Sequence, residues 1–417
     1  MKILFLSTWF PYPPDNGSKL RVYHLLRALS SRHEVALISF AFDTAAPGEA
    51  AELSRCCSSV QTVPVNPFEF NRAGSLRTFL SAAPVAFRPI AVMRRLVDEV
   101  WQRGAFDAVS ASVEVTAAYA LTLSSGVPKI LEEHNCQTRW MGERYAAQKG
   151  MLRRARCWVS WRKSQRYEAR LFPQFDLVTM VSEQDRRISQ SLLKGQNGRV
   201  AVVPNGVDCQ HNRPGLAQPQ PDRLVYNGSL TYDANYDAMR FFLADIYPRI
   251  RQAAPAVSLA ITGATQGVDQ GGLNLDNSVH LTGYVADVRI PVAEATVCVV
   301  PLRQGGGTRL KILEAMALGT PVVATAKGAE GLEVVDGEHL LLADTPEAFA
   351  AATLRLLGDP ALRARLSVSA RRLVEARYDW SAIGRRFVAL VEETVARRQT
   401  LPPSRDRGTR SAVRSVG

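Results

Sequence analysis

The densest chemistry in this sequence lies at residues 301–321, Pro-Leu-Arg-Gln-Gly-Gly-Gly-Thr-Arg-Leu-Lys-Ile-Leu-Glu-Ala-Met-Ala-Leu-Gly-Thr-Pro. An apolar strand ends at Pro301 and three glycines loosen the backbone. The spacing then predicts a helix over 308–318 with Leu310, Leu313 and Ala317 on its buried face. Bare N–H groups at a helix start attract anions, and glycines let a phosphate approach the backbone closely. Arg309 and Lys311 fall in the first turn, where the helix macrodipole disfavours cations by ~0.3–1 kcal/mol each. A bound anion reverses that sign. Glu314 follows Lys311 by three residues, so both can face one cleft, the carboxylate accepting hydrogen bonds from vicinal hydroxyls. The plainer readings are a glycine-rich turn with solvated cations and a surface ion pair between Lys311 and Glu314.

The start of the chain echoes this arrangement. After Ser7 a loop with Pro11, Pro13 and Pro14 leads to Gly17, Ser18 and a helix carrying Lys19 and Arg21 in its first turn. Two helix starts with misplaced cations suggest that both halves address an anionic ligand; the alternative is that Lys19 and Arg21 are ordinary surface residues. Leu131-Glu-Glu-His-Asn135 ends another strand. There His134 can donate to a hydroxyl or phosphate, act as a general base near neutral pH, or serve as a hydrogen-bonded structural residue. The other histidines have no ligand spacing. The sequence has no D-x-D, H-E-x-x-H or G-x-S-x-G, so nothing argues for a bound metal or a hydrolase triad, and the lack of G-x-G-x-x-G weakens a nicotinamide reading.

Short apolar, β-branched runs alternating with helical patterns must position these residues. Strands are expected at 2–7, 34–40, 60–65, 107–111, 128–133, 176–181 and 200–203, and again at 223–227, 257–262, 279–281, 296–301, 321–324 and 339–342. That alternation is the signature of an α/β chain with parallel sheets and crossover helices. Residues 208–222, with Pro214, Pro219 and Pro221 and little periodicity, read as a linker. The expected organisation is an N-terminal domain over 1–207 and a C-terminal domain over 223–380. A terminal helix over 381–398, with a possible return to the first domain, and a disordered basic tail over 399–417 complete it. Two open parallel sheets place ligands at the carboxyl ends of their strands, in the cleft between domains.

The chain has 417 residues, 46% hydrophobic and 22% charged, which excludes a disordered, collagenous or small disulfide protein. Its 51 Lys and Arg against 39 Asp and Glu leave +12, a balance that invites nucleic acid, anionic membrane or an anionic small substrate. The excess is local: 139–170 contributes +8 and 397–417 contributes +5, leaving the rest near neutral. The six cysteines have no C-x-x-C spacing and fit a reducing cytosol. Residues 1–10 read as a strand rather than a signal peptide, and no apolar stretch approaches the ~18 residues of a membrane span. A cytoplasmic protein is expected.

These residues resemble glycosyltransferase family 4, retaining enzymes of the GT-B architecture with two Rossmann-like domains whose parallel sheets face a central cleft. The resemblance rests on 11–17 with the helix after it, Val203-Pro-Asn-Gly-Val-Asp208, Tyr226-Asn-Gly-Ser-Leu230 with Asn235, Gly283-Tyr-Val285 and above all 305–321. Gly-Gly-Gly-Thr-Arg-Leu-Lys-Ile-Leu-Glu is similar to the branch of bacterial exopolysaccharide and lipopolysaccharide sugar transferases. The resemblance implies transfer of a sugar from a nucleotide-diphosphate donor to a saccharide or lipid-linked acceptor, with retention and no cofactor. It implies that Glu314 holds the ribose and that His134 lies near the donor sugar. Gly306 and Gly307, with Thr308 and Leu310, would form the donor loop, Tyr284 would hold the base, and Gly17 and Ser229 would border the donor. Lys19 and Arg21 would face the acceptor. The first glutamate of the family's E-x7-E motif is replaced here by Gly306. The Arg and Lys that often follow the first C-domain strand give way to Ser229 and Asn235, so Arg309 and Lys311 are expected to meet the diphosphate.

Residues 139–172 interleave Trp140, Tyr145, Trp158, Trp161, Tyr167 and Phe172 with ten cations. They read as a surface for anionic lipid, at about 1 kcal/mol per nearby cation, or as a solvated helix whose aromatics are core. Peripheral membrane contact is the favoured expectation, and nucleic acid is not expected as a partner. The rival functions are a sugar-nucleotide epimerase of the same architecture and a non-enzymatic nucleotide-sugar or nucleic-acid binder.

Overall fold

The computed structural model describes residues 1–42, 47–69, 89–124, 126–195, 198–305 and 309–400. The N-terminal strands are β1 (Lys2–Ser7), β2 (Glu34–Phe40), β3 (Ser59–Val63), β4 (Ala108–Ser112), β5 (Lys129–Glu132), β6 (Leu177–Met180) and β7 (Arg199–Val202). They form one parallel sheet in the order β3-β2-β1-β4-β5-β6-β7. The second sheet joins β8 (Arg223–Asn227), β9 (Ser258–Thr262), β10 (Val279–Gly283), β11 (Val297–Val300), β12 (Val322–Ala324) and β13 (Leu341–Leu342) in the order β10-β9-β8-β11-β12-β13, also parallel. Every strand predicted from an apolar run is present, with ends shifted by two residues or fewer. Runs such as Ile3 to Leu6 and Val297 to Val300 are wholly buried, which is why they contain no polar alternation.

The strand order reverses beside β1 in one sheet and beside β8 in the other. Loops leaving the carboxyl ends of those strands diverge to opposite faces and open a crevice, where ligands of such sheets bind. From β1 the chain enters α1 (Gly17–Ser30), capped by the Asn16 side chain, which accepts from the Ser18 and Lys19 amides at 3.1 Å each. From β11 it reaches α11 (Leu310–Leu318), whose cap position is Arg309 and whose start has no side-chain cap. The expected helix over 308–318 is thus described from Leu310, and its buried surface is broader than one stripe: Ile312, Leu313, Ala315, Met316, Ala317 and Leu318 are all enclosed.

The remaining described α-helices are α2 (Pro47–Leu53), α3 (Ala91–Arg103), α4 (Val113–Ala120), α5 (Gln137–Ala147), α6 (Met151–Leu171), α7 (Glu183–Leu192), α8 (Asp233–Phe241), α9 (Tyr247–Ala253), α10 (Arg289–Ala293), α12 (Pro346–Gly358), α13 (Pro360–Arg377) and α14 (Trp380–Thr400). The basic segment 139–172 forms the hairpin α5–α6. Phe172 is core and Tyr167 packs against the core, whereas Tyr145 and Trp161 stack on each other with centroids 5.6 Å apart. Residues 399 and 400 continue α14, and the rest of the expected tail lies outside the described residues.

The helix α14 packs on the first domain. Trp380, Ile383, Phe387, Val391 and Val395 share a core with Phe5, Val22, Leu25 and Leu29. A side chain at Gly384 would meet the Ala28 Cβ at 2.6 Å, so the two helices touch closely there. Two strands of chain pass between the domains together, the Val207 amide donating to the Tyr378 carbonyl at 2.9 Å and the Trp380 amide to the Val207 carbonyl at 3.2 Å. Since Phe387 is fully enclosed, Phe387→Ala should destabilise the protein by about 3–5 kcal/mol, read from urea unfolding followed by circular dichroism. A loss under 1 kcal/mol, order-of-magnitude, would mean that this helix is not part of the N-terminal core.

Candidate active site

The two crevices face each other across a cavity of about 720 Å³. Its lining includes Gly17, Ser18, Arg21 and His134 from the first domain and Ser229, Arg309, Leu310, Lys311 and Glu314 from the second. The start of α1 meets the start of α11 directly: a side chain at Gly17 would stand 3.3 Å from the Leu310 Cδ1. Glycine at that position keeps the two helix ends in register across the cleft.

On the C-terminal side, the cap position and first turns of α11 turn three functional groups, Arg309, Lys311 and Glu314, toward the cavity. Arg309 is buried and donates to the Gly305 carbonyl at 2.7 Å. Lys311 Nζ donates to the Tyr226 hydroxyl at 2.8 Å and to Asn235 Oδ1 at 3.0 Å, and lies 4.0 Å from the centroid of the Tyr226 ring. Burial pushes its pKa down to about 7, with the Glu314 and Cys298 side chains opposing that shift. The Glu314 carboxylate accepts from Asn227 Nδ2 at 3.0 Å, and burial raises its pKa while Lys311 and Asn227 oppose the rise. Lys311 and Glu314 therefore hold different neutral partners in the cavity wall rather than pairing on a helix surface. The Ser229 hydroxyl is tied to the Thr231 hydroxyl at 2.7 Å and the Ala264 carbonyl at 3.1 Å.

On the N-terminal side, His134 stands two residues beyond β5, and its ring is held on both edges. Nε2 is 3.1 Å from both Glu132 Oε2 and the Ser112 hydroxyl, and Nδ1 is 3.2 Å from the Ser18 hydroxyl. The Trp9 ring stacks against it at 5.6 Å. Burial by itself would raise the Glu132 pKa, but the Arg21 guanidinium and His134 outweigh it and hold that carboxyl far below the ordinary range. Ser112 is delivered by a strained turn, since Val113 has φ of 60°, a left-handed conformation rare for a β-branched residue.

Several expected site residues have other surroundings. Arg21 is fully buried and uses its guanidinium on Glu132, the Val203 and Pro204 carbonyls and Asn205 Oδ1. Lys19 is buried, pairs with Asp15 at 3.5 Å and does not line the cavity. Tyr284 is 84% exposed and also lies outside the lining. Gly306, Gly307 and Thr308 lie outside the described residues. Three residues to which the sequence assigns no role also belong to the site: Asn205 and Asn227 line the cavity and Glu132 holds His134. Glu132 carried a usable signal, because residues two apart on a strand share a face and His134 had already been singled out.

Residues 16–211 match the family model described as Glycosyltransferase Family 4, and residues 221–359 match that described as Glycosyl transferases group 1. Two Rossmann-like domains carrying those two matches define a glycosyltransferase of GT-B architecture. Taken together, the two matches span most of the chain and make it a glycosyltransferase of the family 4 type. It is 22% identical over 363 residues to an uncharacterized 44.6 kDa protein in the cps region of Klebsiella pneumoniae, covering 84% of this chain and 89% of the relative. It is 33% identical over 207 residues to the phosphatidyl-myo-inositol mannosyltransferase of Mycobacterium leprae, covering 46% of this chain and 53% of that one. Among solved structures, HepE of Anabaena in complex with UDP and glucose superposes with a TM-score of 0.66 at 17% identity, covering 94% of this chain and 100% of that one.

An anion arriving beside Lys311 favours its protonated form. With a pKa of about 7 before binding, Lys311 is mostly neutral at higher pH and must take up a proton as the anion binds. The affinity for an anion at this position, read with sulfate as the probe, should therefore fall as pH rises from about 7.5 to 9, with a slope approaching tenfold per pH unit. Titration calorimetry in buffers of different ionisation enthalpy should record that proton uptake, and Lys311→Met should abolish both the uptake and the slope.

Proposed function

We propose that this glycosyltransferase moves a sugar, with retention, from a nucleoside-diphosphate donor to a hydroxyl of a saccharide or lipid-linked acceptor in surface polysaccharide synthesis. One observation carries the reading: the uncapped start of α11 presents Arg309, Lys311 and Glu314 to a cavity whose opposite wall holds His134. The diphosphate lies at that helix start and Glu314 accepts from the ribose hydroxyls. As the bond from the sugar C1 to phosphate oxygen breaks, its electron pair stays on the diphosphate. Cations and backbone amides fixed in advance stabilise this growing charge more in the transition state than in the bound donor. The acceptor oxygen bonds to C1 on the same face and its proton leaves with the diphosphate. His134, oriented by Glu132 and Ser18, contacts the sugar. The UDP and glucose seen with HepE support this donor class, and a relative lies in the cps region of Klebsiella pneumoniae.

A thermal-shift screen of UDP-, GDP- and TDP-sugars identifies the donor. With it, Arg309→Ala/Lys311→Ala should lower kcat/KM by several powers of ten, on the order of 4 kcal/mol or more of transition-state stabilisation. Turnover by the double variant at the wild-type rate would reject the assignment. Product formation in the absence of acceptor would instead favour an epimerase.

The acceptor reading extends to the membrane. At the tip of the α5–α6 hairpin Met151 and Leu152 are 88% and 90% exposed, and Trp158 is 49% exposed. Lys149, Arg153, Arg154 and Arg156 surround them, with no acidic residue between Glu143 and Glu168. Such a tip suits the inner face of a cytoplasmic membrane, its apolar pair entering the acyl boundary and its cations meeting anionic headgroups. Among the described residues no helix is long and apolar enough to cross a membrane. Sedimentation should show binding to vesicles containing phosphatidylglycerol and loss of binding for Met151→Ser/Leu152→Ser; equal binding to neutral vesicles would reject the electrostatic part.

A further inference from the structure

A six-charge network joins the two domains beside the cavity. Arg139 and Glu143 on α5 and Asp185 on α7 come from the first domain, while Arg309, Lys327 and Glu330 come from the second. Arg139 donates to Glu143 at 3.0 Å and to Asp185 at 3.1 Å, and it meets Glu330 Oε1 at 2.6 Å. Lys327 spans the boundary in the other direction, 2.8 Å from Glu143 and 2.6 Å from Glu330. Glu330 Oε2 is 3.7 Å from the Arg309 guanidinium.

Glu330 is the hub. It has two close cationic partners and a third, Arg309, at longer range, and one of the close partners belongs to the opposite domain. A half-buried carboxylate follows the nearest positive charge, because unpaired charge there is costly. Without Arg139, the cations left to Glu330 are Lys327 and Arg309, both from its own domain. With nothing pulling it toward the first domain, the carboxylate can keep Lys327 at 2.6 Å and close its 3.7 Å gap to Arg309, cancelling more of the field that Arg309 offers to an anion.

We infer that Arg139 is a positioning residue that acts across the domain boundary, holding Glu330 away from Arg309 and so keeping the cavity receptive to a nucleoside diphosphate. Neither Arg139 nor Glu330 lines the cavity; each acts through Arg309. The donor site in the second domain is thus electrically complete only while the first domain is in contact with it. The inference rests on the reading that Arg309 meets the donor diphosphate.

The test is a double-mutant cycle read by titration calorimetry with the nucleoside diphosphate of the donor found in the screen. Arg139→Gln should weaken binding by about tenfold, since it releases Glu330 toward Arg309. Glu330→Gln should bind within about threefold of wild type or tighter, and the double variant should recover to within about threefold of Glu330→Gln. An ion pair that only braces the fold predicts no recovery. A double variant as weak as Arg139→Gln, or an Arg139→Gln variant with wild-type affinity, would overturn the inference while leaving the donor reading intact. If Arg139→Gln unfolds in a thermal melt, Arg139→Lys, which keeps one charge but loses the fork that reaches Glu330 and Asp185 together, should weaken binding by a smaller factor that Glu330→Gln again restores, and wild-type affinity in that variant would overturn the inference. A folded wild type that binds no nucleoside diphosphate would overturn the donor reading, and this inference with it.

Discussion

The Arg21 side chain is fully buried at the floor of the cavity, and groups from two distant parts of the first domain converge on its positive charge. Its partners are Glu132 at the end of β5, the carbonyls of Val203 and Pro204 at 2.8 and 3.1 Å, and Asn205 at 2.9 Å. Removing one member of a buried pair of this kind costs about 3–5 kcal/mol, because the other charge is left without compensation. One side chain on α1 therefore fixes the carboxyl end of a central strand and the turn where the first domain gives way to the linker. Glu132 is then fixed for His134, whose two ring nitrogens are held from opposite sides by groups on β4, β5 and α1. The histidine's aim is thus a consequence of a charge buried beneath it.

The second domain makes the complementary choice. Its helix start has no side-chain cap, it keeps cations where the macrodipole opposes them, and it buries Lys311 until its pKa falls to about 7. Each of these lowers the stability of the empty protein, and local rules broken together in one cavity are expected where a ligand supplies the missing partner. The contrast with α1 is informative. There Asn16 occupies the amides of Ser18 and Lys19, so the first-domain helix start is closed to an anion by its own cap, and its cations serve protein carboxylates and carbonyls.

The sheets were legible because each strand is buried on both faces, and such strands must be short, apolar and β-branched wherever they occur. The start of α11 was legible for a related reason: glycines, two cations and a glutamate lie within ten residues of one chain. What stayed hidden was everything set by distance across the fold. Nothing local in Arg21 shows that its guanidinium neutralises a glutamate 111 positions away. Arg139 was counted among ten cations of a basic segment, although its charge is cancelled by Glu143, Asp185 and Glu330.

That cancellation changes how the net charge of +12 is to be understood. A charge excess acts at long range only where carboxylates do not accompany it. At the domain boundary three cations and three carboxylates balance, so the boundary adds no lasting field to the surface and its energy is local and directional. The unbalanced part lies farther along the same hairpin, from Lys149 onward, where the helix is exposed and acids are absent until Glu168. A single hairpin thus does two electrostatic jobs with opposite requirements. Its base is neutral, partly buried and held in directional ion pairs, whereas its tip is charged, exposed and indifferent to geometry. Because both lie on α5 and α6, whatever the tip touches is mechanically continuous with Arg139, which shares Glu330 with Arg309.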